Sequence, residues 1–178
     1  FSLFSLPYVG LFPAVAHVNF GIAEDGSTYK WLYATWGLGA ALGGLAIGTK
    51  FSHRDQRKLV QYGFVGFAAS MTLFAISRSA VPAFIFGFIL GFAYFFTTTA
   101  MSIVVQSRLK PEVRGRVMSL WFMSFGGTVP LGNMLFGPVV DQYGARWLLL
   151  FGAAWALFLA WWCNVTALDA KHNFSVSQ

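Results

Sequence analysis

No aspartate, glutamate, lysine or arginine interrupts residues 1–23, 31–49, 59–77, 79–107, 117–140 or 147–168. A helix needs about 20 apolar residues to cross the hydrocarbon core of a bilayer, and each run reaches or nearly reaches that length. In lipid every backbone polar group must be satisfied within the protein, so runs of this length are expected as helices. The alternating pattern of barrel strands is absent. The sequence therefore predicts an all-α membrane protein with six transmembrane helices, at about 1–20, 31–49, 60–77, 82–106, 117–140 and 147–168. A polar cytoplasmic tail, 169–178, would follow. Composition argues against a soluble domain: 57% of residues are hydrophobic and 10% charged, where soluble domains have roughly 25% charged.

The cations are unevenly placed. Lys50, Arg54, Arg57, Lys58, Arg108, Lys110, Arg114, Arg116 and Lys171 fall on one side of the expected membrane, and Lys30, Arg78 and Arg146 on the other. Cation-rich connectors stay in the cytoplasm, which assigns the second and fourth connectors and the C-terminus to that side. The net charge of +6 follows from the same bias and does not call for a nucleic-acid partner. Cys163, in the last run, has no disulfide partner and reads as a small lipid- or core-facing residue. Glycosylation-type triplets at Asn164 and Asn173 fall in the membrane or on the cytoplasmic side and are discounted. The chain starts at Phe1, inside an apolar run and without an initiator methionine, so a piece of a longer protein is expected.

The stretch most suggestive of function lies in the fourth run. Thr97, Thr98, Thr99, Ser102 and Gln106 punctuate an otherwise apolar helix, which then meets Arg108-Leu-Lys110-Pro111-Glu112-Val-Arg114-Gly115-Arg116. Polar groups inside an apolar helix, closed by a cluster of cations, is how a channel or carrier helix meets the cytoplasm. Tyr94, Thr97, Thr98 and Met101 fall close to one helix face. Elsewhere, Pro7 and Pro13 should kink the first helix, with His17 and Asn19 at its outer end. Gly39/Gly43, Gly44/Gly48 and Gly87/Gly91 have the spacing of small residues that lets helices approach closely. The third run is bland and aromatic, with Gly63 and Gly66, and is expected to face lipid. The fifth carries Gly126, Gly127, Pro130, Gly132, Asn133, Gly137 and Pro138, as a helix bending beside a cavity would. A weak internal repeat relates Thr49-x-x-x-His53-Arg54-x-x-Arg57-Lys58 to Gly137-x-x-x-Asp141-x-x-Gly144-x-Arg146.

These residues carry a family likeness. The first of those connectors resembles the Gly-x-x-x-Asp-Arg-x-Gly-Arg-Lys loop of the major facilitator superfamily. It keeps Arg54, Arg57 and Lys58 and departs at Thr49, His53 and Gln56. Pro111-Glu-Val-Arg114-Gly115-Arg116-Val117-Met118-Ser119-Leu120, with Gly127-x-x-Pro130-x-Gly132 and the early Ser5-Leu6-Pro7-Tyr8, is similar to enterobactin-exporter-like and macrolide-efflux-like bacterial permeases. The likeness extends to about residue 168.

The resemblance implies helices seven to twelve of a twelve-helix transporter, built as a three-plus-three inverted repeat and working by alternating access in the bacterial inner membrane. It implies as partners a small amphipathic substrate such as a drug or siderophore, the lipid bilayer, and a missing N-terminal half. By the same resemblance Tyr8, Phe12, Tyr94, Thr97, Thr98 and Met101 line the substrate cavity. The second and fifth helices, with Gly39, Gly43, Gly44, Gly48, Gly127, Pro130 and Gly132, would meet the missing half, leaving the third and sixth peripheral. Arg54, Arg57, Lys58, Arg114, Gly115 and Arg116 belong to gating or lipid-contacting cytoplasmic loops. Export coupled to protons is expected, with the essential acid in the missing half, because no carboxylate lies in a membrane run here. His17 is the titratable side chain of this piece with a useful pKa.

No cofactor or metal is expected. A membrane-embedded enzyme would need ligand-like histidine spacing or paired carboxylates at depth, and His17, His53 and His172 supply neither. A phosphate-cradling Gly-rich loop ending in lysine, which an ATP-driven pump would need, is also missing. The alternative is a non-transporting structural or assembly membrane protein.

Overall fold

Prolines divide the first apolar run. The structure, a computed structural model, describes residues 1–23 and 26–162. In it α1 (Ser2–Ser5), α2 (Pro7–Gly10) and α3 (Phe12–Phe20) take the place of the single helix expected over 1–20. Pro7 and Pro13 lack the N–H that a continuing helix requires, and a proline ring clashes with the carbonyl four residues back. The chain therefore restarts its helix after Leu6 and again after Leu11. α3 ends at Gly21, whose φ of 66° turns the chain toward the next helix.

Five longer helices follow: α4 (Ser27–Gly48), α5 (Gln56–Ile76), α6 (Ala80–Ser107), α7 (Pro111–Tyr143) and α8 (Ala145–Trp162). The described residues contain no strand. α7 starts at Pro111, not near 117, because a proline at the first position and Glu112 in the first turn both favour a helix start. Arg114, Gly115 and Arg116 thus stand on its first two turns and not in a loop. Pro130 and Pro138 lie inside α7 without ending it. Cys163, the expected helix end at Leu168 and the tail over 169–178 lie outside the described residues. By length and apolar character α5, α6 and α8 can each cross a membrane. α4 and α7 are diluted by glycine and polar residues, and α1 to α3 are short.

Close packing at glycine determines who lies beside whom. A β-carbon at Gly39 would collide with the Phe88 carbonyl, one at Gly43 with the Phe92 carbonyl, and one at Gly91 with the Trp36 carbonyl. From Gly39/Phe88 to Gly43/Phe92 the numbers rise together, so α4 and α6 run parallel, backbone against backbone. The Gly39 and Gly43 faces are consequently filled from within the chain, where a contact with a missing half was expected. The nearest neighbour to a β-carbon at Gly44 would be the Thr99 hydroxyl at 3.8 Å, while Gly48 and Gly127 have open space among the described residues. A second parallel pair joins α1 and α2 to α7. Ser2 and Thr128 share a hydroxyl hydrogen bond, Gly132 admits the Leu3 carbonyl and Pro7, and Gly10 admits the Asn133 amide.

α5 packs between α6 and α8, and α1 and α3 also touch α8. The third helix, expected to face lipid, is exposed on one side and packed on the other. Tyr62, Val65, Leu73 and Ile76 are exposed, while Val60, Gly63, Phe64, Phe67, Met71 and Phe74 are buried. Aromatic bulk beside a glycine is a packing surface: Gly63 leaves room for Thr97 of α6, and Gly152 of α8 leaves room for Met71. Ser5 donates to the Gly152 carbonyl at 3.0 Å, tying the first segment to the last helix.

Candidate functional site

The polar residues of α6 recur at 94, 98, 102 and 106, one turn apart, and so form a single stripe along the helix. Facing that stripe, α7 presents Trp121, Phe125 and Val129 at the same four-residue spacing. Between the two lies a cleft of about 530 Å³, within the range of roughly 300–1,000 Å³ typical of small-molecule sites. Tyr94, Thr98, Thr99, Ser102 and Gln106 line it on the α6 side, with Phe122 and Gly126 adding to the α7 wall.

The polar groups are poised to bind and not to react. Thr98 donates its hydroxyl to the Tyr94 carbonyl at 3.1 Å, so what it offers the cleft is an acceptor lone pair. The Gln106 amide donates to the Ser102 hydroxyl oxygen at 2.9 Å, which leaves the Ser102 O–H as a donor. Every cleft side chain is uncharged. Tyr94 continues a stack of rings that begins on α4, with Tyr33 on Trp36 at 5.5 Å and Trp36 on Tyr94 at 6.0 Å, each close to parallel. Stacked faces of this kind favour flat apolar groups.

The structure separates the residues expected to line one cavity. Tyr94 and Thr98 share the cleft. Met101 lies in a neighbouring hollow of about 440 Å³ together with Phe1, Val60 and Phe64. Trp121 and Phe125, whose rings are 5.1 Å apart, stand between the two spaces and line both. Thr97 is fully buried at Gly63, donating to the Ala93 carbonyl at 2.6 Å. Tyr8 and Phe12 are core residues here, 0% and 1% exposed, packed near Phe67 and Phe74. His17 is exposed at the end of α3, away from the cleft. Trp121, Phe122, Phe125 and Val129 were not among the residues expected at the cavity; the four-residue spacing of Trp121, Phe125 and Val129 opposite a polar stripe was the available signal.

At one end of the bundle the two cationic connectors come together, because parallel α4 and α6 finish on the same side. Asp55 caps α5 by accepting the Arg57 backbone N–H at 3.1 Å, and Gln56 donates to the Phe51 carbonyl at 2.8 Å. Arg54 and Lys58 border a shallow hollow with Phe51, Leu59 and Tyr62. Thus two of the three residues standing where the resembled loop has other types, Thr49 and Gln56, make side-chain hydrogen bonds to the backbone at this turn. Among the described residues no cluster suited to a metal ion is present.

The profile of the transmembrane secretion effector family matches residues 1–176. Solute carrier family 67 member A1 from Homo sapiens is 28% identical over 138 residues, which is 76% of this chain and 32% of that protein. The chain thus spans well under half the length of this curated relative. No solved structure matches. With three helices able to cross a membrane, a neutral, aromatic-walled cleft beside one of them and a family match over nearly its whole length, the chain belongs to the transmembrane secretion effector family of the major facilitator superfamily, a family of multi-pass, non-enzymatic membrane transporters.

Proposed function

We propose that this chain is the C-terminal six-helix half of a secondary exporter that moves a small amphipathic molecule out of the bacterial cytoplasm by alternating access. The observation that carries the reading is the cleft between α6 and α7, where an uncharged polar stripe faces an aromatic one. A bulky amphipath needs that combination: apolar area to hold its rings, and a few neutral donors and acceptors to orient it. The helix pairing supports an inverted three-plus-three repeat. α4 runs parallel to α6 as α1 and α2 run parallel to α7, and α5 and α8 pack on each other between the two pairs. A six-helix half completes its transport path against a second half, so an N-terminal partner of similar size in the same protein belongs to the proposal. Proton coupling would place its carboxylate in that partner, since none lines the cleft. Arg54 and Lys58, exposed where the connector meets α5, gate the cytoplasmic end.

The full-length protein, expressed in cells stripped of their main efflux pumps, tests the reading. Accumulation of a panel of lipophilic drugs and catecholate siderophores should fall, and a protonophore should restore it. Tyr94→Ala and Thr98→Ala should each cost about tenfold in transport kcat/KM for the compound exported, the worth of one good contact. Unchanged kinetics in both variants, for every compound moved, would remove the cleft from the proposal. No export of any compound by protein confirmed in the membrane would favour import or an assembly role.

A further inference from the structure

The neutrality of the cleft ends at its cytoplasmic mouth. α6 leaves the cleft at Gln106 and is followed by Arg108 and Lys110; α7 enters it at Trp121, preceded by Arg114 and Arg116. α7 is one unbroken helix over this stretch, so register decides which arginine overlooks the cleft. Arg114 precedes Trp121 by seven residues and Phe125 by eleven, which puts all three on one face. The half-buried Val117, Met118, Trp121 and Phe125 mark that face as the inward one. Arg116, two residues further on, lies on the opposite side. Glu112, the carboxylate of this turn, is two residues before Arg114 and likewise faces away.

We infer that Arg114 is a specificity-determining residue and that the cleft takes amphipathic anions, whose apolar body lies between Tyr94 and the Trp121/Phe125 wall while the acidic head reaches the guanidinium. An arginine offers five donors in a fork that matches a carboxylate, sulfonate or phosphate, and Arg114 stands two helical turns before Trp121 on the same face, within the span of a long amphipath. A purely topological role for these cations makes a different forecast. Arg114 and Arg116 carry the same charge at nearly the same depth, so as topology determinants they are equivalent. Recognition at the cleft distinguishes them.

This inference rests on the transport reading above, and its test separates the two. Proteoliposomes of the full-length protein are loaded with one of three probes of matched shape: anilinonaphthalene sulfonate, neutral phenylnaphthylamine, or a trimethylammonium analogue. The anion should move fastest. Arg114→Gln should lower the anion-to-neutral rate ratio by about tenfold, the worth of one charge-assisted hydrogen bond, while transport of the neutral probe stays within about twofold. Arg114→Lys should recover part of the ratio, and Arg116→Gln should leave it unchanged. Equal effects of the two glutamine variants would overturn the inference and leave charge at the surface as the explanation. So would an Arg114 effect that vanishes in vesicles lacking anionic lipid, since the arginine would then be serving lipid phosphate. Movement of the neutral or cationic probe in preference to the anion would refute it while sparing the transport reading. No movement of any probe would sink both.

Discussion

A methyl group added at Gly39 has nowhere to go, because the Phe88 carbonyl occupies its place and backbone cannot step aside as a side-chain tip can. Gly39→Ala should therefore force α4 and α6 apart and cost about 1–3 kcal/mol, the usual penalty of overpacking. Gly37, two residues away, has nothing within 4 Å of its would-be β-carbon. Gly37→Ala should be neutral, or stabilising by up to about 1 kcal/mol from lost chain entropy. Thermal unfolding of the two variants in detergent checks the pair, and equal Tm values would contradict the α4–α6 interface. The glycine spacing was legible in the sequence, but spacing reports close approach without saying to what. Thr97 and Thr98 pose the same difficulty. Adjacent residues on a helix are about 100° apart, so both lay near the chosen face, and only the position of α5 sends Thr97 into Gly63 and leaves Thr98 to the cleft.

Elements respond to identical residues in opposite ways. Pro7 and Pro13 break the first run into three pieces, whereas α7 continues through Pro130 and Pro138. The sequence marks all four prolines as places of weakness; whether a helix breaks depends on neighbours that can hold it. α2 is held by Gly132 and Asn133 of α7, whose own backbone stays helical. Helix start signals at Pro111 and Glu112 were present and were outweighed by the charges of Arg114 and Arg116, which look like a loop until the first turns of α7 are allowed to project from the bilayer. The Ser2–Thr128 hydroxyl contact offers a test at this scale. Cysteines at both positions should form a disulfide under mild oxidation, since the two side chains already meet. If the described helices rock as one body, the cross-link should slow transport by less than about twofold. Loss of transport that a reductant restores would show instead that α7 moves against the first segment.

At the scale of the molecule, parallel α4 and α6 place the connectors 49–55 and 108–110 at one end and the turn before α6 at the other. The positive-inside bias then predicts an orientation for the bundle, because the first end carries Lys50, Arg54, Arg108 and Lys110 and the second carries Arg78. The apolar runs that form α5, α6 and α8 were legible because a bilayer imposes a length that composition cannot disguise. The cleft was only half legible, since the stripe on α6 is written in polar residues but the α7 wall in aromatics that any membrane helix could carry. In a Cys163→Ser background, cysteines introduced one at a time at Ser52, Ser79, Ser107 or Gln142, all exposed, make the orientation measurable with a membrane-impermeant maleimide. Ser79→Cys and Gln142→Cys should label in intact cells, and Ser52→Cys and Ser107→Cys only after permeabilisation. Labelling of Ser52→Cys and Ser79→Cys from the same side would mean that α5 does not cross the bilayer. Labelling of Ser107→Cys from outside would invert the bundle, putting Arg114 at the external mouth, where an anion bound at the cleft would be arriving and not leaving. The direction of transport and the side of this one turn are therefore a single question.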